Sequence, residues 1–214
     1  QSLLDDQIKI NANMKSSFIK DQYDAGAIGG AIAFDPTQNI YDAGSRWGGY
    51  FEYNEDLAPD NPVSSSDQVQ DFGEYVRNIG KIDITYDMPF VDGLSATLSG
   101  GYDINLGERK RFLPSTLRSQ SSDSGEVRIE NIKRINPMVT FLLNYKKELP
   151  SINSSLNVTG GYEFQQFTSE YPSYRAYGLS TDVYGFYSGN IAEYSETYNS
   201  YESSRIISFF GRAN

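Results

Sequence analysis

Residues 94–105 read "LSATLSGGYDIN" and residues 156–165 read "LNVTGGYEFQ". Each begins with Leu after a short connector bearing Pro, Asp, Asn or Gly. Each alternates up to Gly-Gly-Tyr followed by an acid, then enters a polar stretch. Alternation is the two-residue period of a β-strand, which sends successive side chains to opposite faces. In the first copy Leu94, Ala96, Leu98, Gly100, Tyr102 and Ile104 share one face. Ser95, Thr97, Ser99, Gly101, Asp103 and Asn105 share the other. Two versions of one strand, about sixty residues apart, indicate one architectural rule applied more than once.

The same period runs outward from these copies. Ile8, Ile10, Ala12, Met14 and Phe18 alternate with Lys9, Asn11, Asn13, Lys15 and Ser17. Ile82, Ile84, Tyr86 and Met88 alternate with Lys81, Asp83, Thr85 and Asp87, and "VDG" (residues 91–93) then closes a tight hairpin. Val139, Phe141, Leu143 and Tyr145 form another apolar face, and "SSRIISFFGRAN" (residues 203–214) begins a further strand. Helical periodicity is weak throughout.

The connectors alternate in length. Short turns are expected near Asp5, at 91–93 and at 147–153, and long polar loops near 21–75, 108–127 and 168–203. Runs of about 12 to 15 alternating residues exceed the usual soluble strand and suit a tilted strand crossing an apolar band. The expected fold is therefore all-β: an antiparallel up-and-down meander of about six long strands, with short turns at one end and long loops at the other. Phe18, Tyr86, Phe90, Tyr102, Tyr145, Tyr162 and Phe164 near strand ends fit an aromatic girdle, and Lys9, Lys15, Asp83, Asp87, Asp103 and Glu163 fit a wet lumen. The competing reading is a soluble carbohydrate-binding β-sandwich, where alternation only separates core from solvent.

Composition narrows the function classes. The 214 residues carry 18 Lys and Arg against 28 Asp and Glu, a net charge of −10, which argues against a nucleic-acid partner. Cys and His are both absent, so disulfides, thiolate metal sites and the usual histidine-based triads are excluded. Mean hydropathy is −0.51 and no apolar run approaches a membrane helix. Yet 17 Tyr and 12 Phe set the chain apart from disordered sequences. The first residues, "QSLLDDQIKI", lack the basic and apolar regions of a signal peptide.

Several short motifs then resemble a known family. "AIAFDPTQNIYD" (31–42), "GGYFEY" (48–53), "DNPVSS" (60–65), Pro89-Phe90-Val91-Asp92-Gly93-Leu94, Gly101-Tyr102-Asp103 and "SFFGRAN" (208–214) follow in order the pattern of SusC/RagA-like TonB-linked outer-membrane transporters. Asp35 and Asn39 stand where that pattern has Asn and Pro. The resemblance implies a middle portion of a roughly 22-stranded transmembrane barrel, without the plug, TonB box or signal peptide of full-length members. It implies TonB-dependent import of nutrients such as oligosaccharides or peptides through a bacterial, Bacteroidota-like outer membrane. The implied partners are a SusD-like surface lipoprotein, TonB acting through the plug, outer-membrane lipid and the rest of the barrel. No enzyme activity or cofactor is implied.

No residue set points to catalysis or a metal. "DINLGERK" (103–110) lacks the ligand spacing of a calcium loop, and the acids Glu52, Glu55, Asp56 and Asp60 read as a solvated loop. The aromatic loops are more informative. Arg46, Trp47 and Tyr50 in "SRWGGYFEY", with Tyr174 and Tyr177 in "YPSYRAYGLSTDVYGFYSGN", are the candidate contacts for substrate or lid, since exposed aromatics beside polar groups suit stacking. The competing reading is that they order their own loops. A short helix is expected near 27–34, ended by Asp35-Pro36, then an extended arm over 36–41.

Overall fold

The computed structural model describes residues 2, 3, 7–55 and 57–214, so the turn expected at Asp5 and the side chain of Asp56 lie outside the described residues. A short strand, β1 (Ser2–Leu3), precedes β2 (Ile8–Gln22), β3 (Gln70–Asp87), β4 (Leu94–Leu113), β5 (Glu126–Leu149) and β6 (Ser154–Glu170). The chain continues through β7 (Ser173–Leu179), β8 (Ala192–Tyr198) and β9 (Tyr201–Ala213). All pairings are antiparallel, in the order β1-β2-β3-β4-β5-β6-β9, and β7 pairs with β5 and β8. After a two-residue break β7 continues the line of β6, and β8 stands to β9 in the same way, so the meander has six long strands. The described residues form one open sheet with no second layer, which rules out the sandwich.

Register fixes the faces, because directly paired residues lie on the same side of an antiparallel sheet. One rung runs Ile10–Ile84–Leu98–Phe141–Tyr162–Phe209 and another Ala12–Ile82–Gly100–Val139–Phe164–Ile207. The neighbouring rung on the opposite face runs Asn11–Asp83–Ser99–Thr140–Glu163–Ser208. One face is continuously apolar from β2 to β9 and the other polar. The polar side chains satisfy one another across strands: Thr85 with Thr97 at 3.0 Å, Thr159 to Asn144 at 2.8 Å, and Ser99 to Asp83. The apolar face stays open, with Met14 71% and Phe209 79% exposed.

Several strand glycines seat aromatic rings, among them Gly161 of the second Gly-Gly pair, whereas Gly160 beside it faces open space. On the polar face the Phe210 ring lies on Gly161, where a Cβ would collide with it. On the same face Tyr75 covers Gly73 and Gly107, and on the apolar face Tyr102 covers Gly80. A ring laid over a strand glycine restores the packing the glycine lacks. Gly93 is different: it has φ +80° and a Cβ would meet the Lys146 carbonyl oxygen, so the short turn admits only glycine there.

Pro137 sits mid-strand in β5 with no N–H to give. The β5–β6 ladder is accordingly interrupted between Ile135–Thr168 and Met138–Gln165. The Asn136 side chain partly fills the gap by accepting the Thr168 N–H at 3.4 Å.

Candidate functional site

The strands run further than their apolar alternation. β4 reaches Leu113, β5 starts at Glu126, and β7–β8 form a hairpin within the stretch read from sequence as loop 168–203. True connections at this end are 23–69, 114–125 and 180–191.

The longest connection is organised around Asn61, which is fully buried. Its Oδ1 accepts the N–H groups of Val63 and Ser64, capping helix α2 (Pro62–Gln68), which has Pro at its first position. Its Nδ2 donates to the carbonyls of Ile40 at 2.7 Å and Phe51 at 3.0 Å, and its own N–H donates to Glu52 at 2.9 Å. One side chain thus ties three passes of the loop. Glu52 is buried too, and burial raises its pKa, opposed chiefly by the hydrogen bond from Asn61. Phe34, Phe51 and Tyr53 pack as a ring cluster beside it.

Arg118, in the 114–125 connection, reaches across to the same loop. It donates to the Ala58 carbonyl at 2.9 Å and to Asp60 at 2.6 Å, and also to the Glu55 carbonyl. Thr116 donates to Gln68 at 2.6 Å. The first two loops are one packed unit. The third is tied down by Asp182, whose carboxylate accepts the Ser115 N–H and hydroxyl. A small core of Phe112, Val127 and Leu179, joined by Phe186, lies beneath it. None of the keystones, Asn61, Glu52 or Arg118, was singled out from sequence for this role. "DNPV" carried the signal, since Asn followed by Pro is the pattern of a helix start.

Helix α1 (Ala27–Ala33) forms where the sequence predicts it. The extended arm at 36–41 does not. The Asp35 carboxylate accepts the N–H and hydroxyl of Thr37, and the Gln38 N–H returns to the Asp35 carbonyl, so the chain turns instead. Ile28 and Ile32 of α1 are 75% and 86% exposed.

The five candidate contact residues do not converge. Arg46 lies 4.1 Å over its neighbour Trp47, so one face of that indole is already covered. Tyr50 donates to Asp67 at 2.9 Å and packs against Tyr41. Tyr174 lies on the apolar side of the sheet, in the rung of Ile129, and donates to the Gly189 carbonyl. Tyr177, three residues on, lies on the polar side, stacked on Tyr194 at 5.3 Å with Arg175 over it at 5.1 Å.

The upper rungs of the polar side are dense with charge. Arg109 makes a two-pronged contact with Asp71, both bonds 2.7 Å, and stacks at 4.0 Å on Tyr23. Tyr23 shares a 2.9 Å hydrogen bond with Tyr75, which pushes its phenol up to about 12. Arg134 reaches the Tyr171 hydroxyl and Arg77 pairs with Asp103. Among the described residues there is no acid or imidazole cluster suited to a metal ion.

No family model matches the chain. It is 28% identical over 222 aligned positions to TonB-dependent receptor P26 of Formosa agariphila, covering 99% of this chain and 21% of that protein. Among solved structures it superposes on the RagAB peptide transporter with a TM-score of 0.71 at 16% identity. The "closed-closed" state of the RagAB peptide importer gives 0.69 at 15%. These matches cover all of this chain and about a quarter of the solved chains. The chain therefore spans between a fifth and a quarter of the proteins it matches.

Proposed function

We propose that the chain is a stretch of TonB-dependent-receptor barrel wall, and that it serves active import of nutrients, oligosaccharides or peptides, across a bacterial outer membrane. The carrying observation is the two-faced sheet. On the apolar face the run from Ile8 to Phe18 spans about ten residues, roughly 33 Å along the strand and about 25 Å high at a tilt near 40°. That is the height of the lipid-facing band of outer-membrane barrels. Lys20–Glu74 (2.8 Å), Lys110–Glu108 (2.7 Å) and Lys133–Glu170 (3.1 Å) bound it toward the long loops. The polar face lines the lumen, the long loops face outward, and the short turns face the periplasm. The open edges of the sheet pair with the rest of the barrel.

A SusD-like lipoprotein is the partner we assign to the loop unit built on Asn61. The paired name of the RagAB neighbours supports that reading, as do the exposed Ile28 and Ile32. Energy comes from TonB acting on a plug. The test is uptake by cells carrying the full-length protein in the outer membrane. Uptake that stops on deletion of TonB or collapse of the proton gradient supports the proposal. A full-length protein that stays monodisperse in buffer without detergent, or whose uptake ignores TonB, overturns it.

A further inference from the structure

Above the apolar band, the polar face sets Arg111 of β4, Arg128 of β5 and Arg175 of β7 directly opposite one another in one rung. Like charges directly opposite across strands destabilise a sheet, and paired strands stand only about 5 Å apart. The nearby acids engage these cations unequally, and Arg111 is the one left without a close partner. Asp71 gives both oxygens to Arg109, leaving Arg111 at 3.6 Å and its buried Nε with no hydrogen-bond partner. Among the described residues Arg128 pairs with Glu130 of its own strand, at 2.7 Å. Arg175 pairs with Glu126 at 2.7 Å and is 3.7 Å from Asp123, while Glu196 accepts from Tyr177.

Depth sets two of the carboxylates apart, although Glu130 and Asp123, at 36% and 38%, are as open as the arginines. The side chains of Asp71 and Glu126 are 4% and 9% exposed, whereas those of Arg109, Arg111, Arg128 and Arg175 are 36% to 45% exposed. The deepest carboxylates lie beneath and orient guanidiniums that face the lumen. Arg111, Arg128 and Arg175 line a cleft of about 520 Å³ with Glu126, Glu196 and Tyr198, and an adjoining cleft of about 320 Å³ brings Arg109 and Glu130 together with Tyr75 and Tyr171.

We propose that this arginine rung is an anion-recognition subsite on the import path, taking the carboxylate or sulfate groups of an acidic oligosaccharide. Guanidiniums match such oxyanions with paired N–H bonds, and the flanking tyrosines offer rings on which sugars stack. Saccharide is favoured over peptide because the floor is β4, β5 and β7, whose backbone groups are paired in ladders. Peptide recognition by strand addition needs a free edge. The substrate class rests on the transport reading above; the anion site does not.

The test uses the full-length protein in detergent or lipid, with wild type and the double variant Arg111→Gln/Arg128→Gln. Neither side chain holds a loop, and Asp71 keeps its two-pronged bond to Arg109 in the variant, so the fold survives. The probes are an oligogalacturonate, its methyl ester, a dextran sulfate oligomer, neutral dextran and an oligoglutamate peptide. Wild type should bind one of the two acidic sugars about tenfold or more tightly than its neutral counterpart, with affinity falling as salt rises. The double variant should lose that preference and its salt dependence. Oligogalacturonate alone or dextran sulfate alone identifies the oxyanion. Equal binding of acidic and neutral sugars, unchanged binding in the variant, or preference for the peptide overturns the proposal. Anion binding without TonB-dependent uptake would defeat the transport reading and leave the site standing. TonB-dependent uptake of neutral sugar alone would do the reverse.

Discussion

The wall and the loop unit above it are built on opposite economies of burial. In the wall, Ile84, Leu98, Phe141 and their neighbours form a continuous apolar face that stays open among the described residues. In the loop unit the deepest groups are polar: Asn61 and Ser64 are fully enclosed and Glu52 nearly so. The wall takes its order from ladder bonds inside and a nonaqueous solvent outside. The loop unit stands in water and must satisfy its own backbone, which a buried amide does at less cost than irregular chain left unpaired.

The sharpest way to break this contrast is Asn61→Ala. It uncaps α2 and strands the carbonyls of Ile40 and Phe51, and should destabilise the loop unit by about 3–5 kcal/mol. Limited proteolysis should then cut within residues 23–69 while the wall stays resistant. The matching change in the wall is Phe141→Arg. In a bilayer it should cost about 2–4 kcal/mol, measured as a shift in the folding equilibrium in lipid. Ile32→Arg on the exposed face of α1 should change stability by under about 0.5 kcal/mol. Equal costs at the two positions would deny that the sheet face meets lipid.

Gly93→Ala tests the short-turn end, where both regions are absent. The positive φ and the Lys146 carbonyl leave no room, so about 1–3 kcal/mol should be lost, seen as a lower unfolding temperature. A modest effect is electrostatic. Burial holds the pKa of Glu52 above its unfolded value, so the folded loop binds the proton more readily. Loop stability should therefore fall as pH rises from the unfolded pKa through the folded one, and stay lowered above it. Glu52→Gln keeps an acceptor for the Asn61 N–H and removes the charge. It should flatten that dependence and shift stability by about 1 kcal/mol or less, read as protease resistance against pH.

The same contrast explains what the sequence revealed. The wall was legible because lipid and lumen demand opposite residue types at successive positions, and Ile82 to Tyr86 or Leu94 to Leu98 obey. Above the band both faces meet water, so the contrast fades. "SYRAYGL" (Ser173–Leu179) looks like loop but is strand, and its Tyr174 and Tyr177, an odd number apart, fall on opposite faces. The arginine rung was invisible for another reason: Arg111, Arg128 and Arg175 are distant in sequence and meet only through register. The turn at Pro36 was misjudged because Asp35 was read for what it stops, not for the bonds its carboxylate makes.

Pro137 carries a mechanical consequence. A sheet resists shear through its ladder, and a missing rung is a crease where paired strands flex. Here the missing rung lies between β5 and β6, midway between the turns and the arginine rung, while Pro137 keeps Tyr102 as its partner on β4. The two strands can thereby part locally at this height while the ladders on either side stay closed. Hydrogen exchange should find the crease as a line of faster amides beside Gln166 and Phe167, set between slow neighbours above and below.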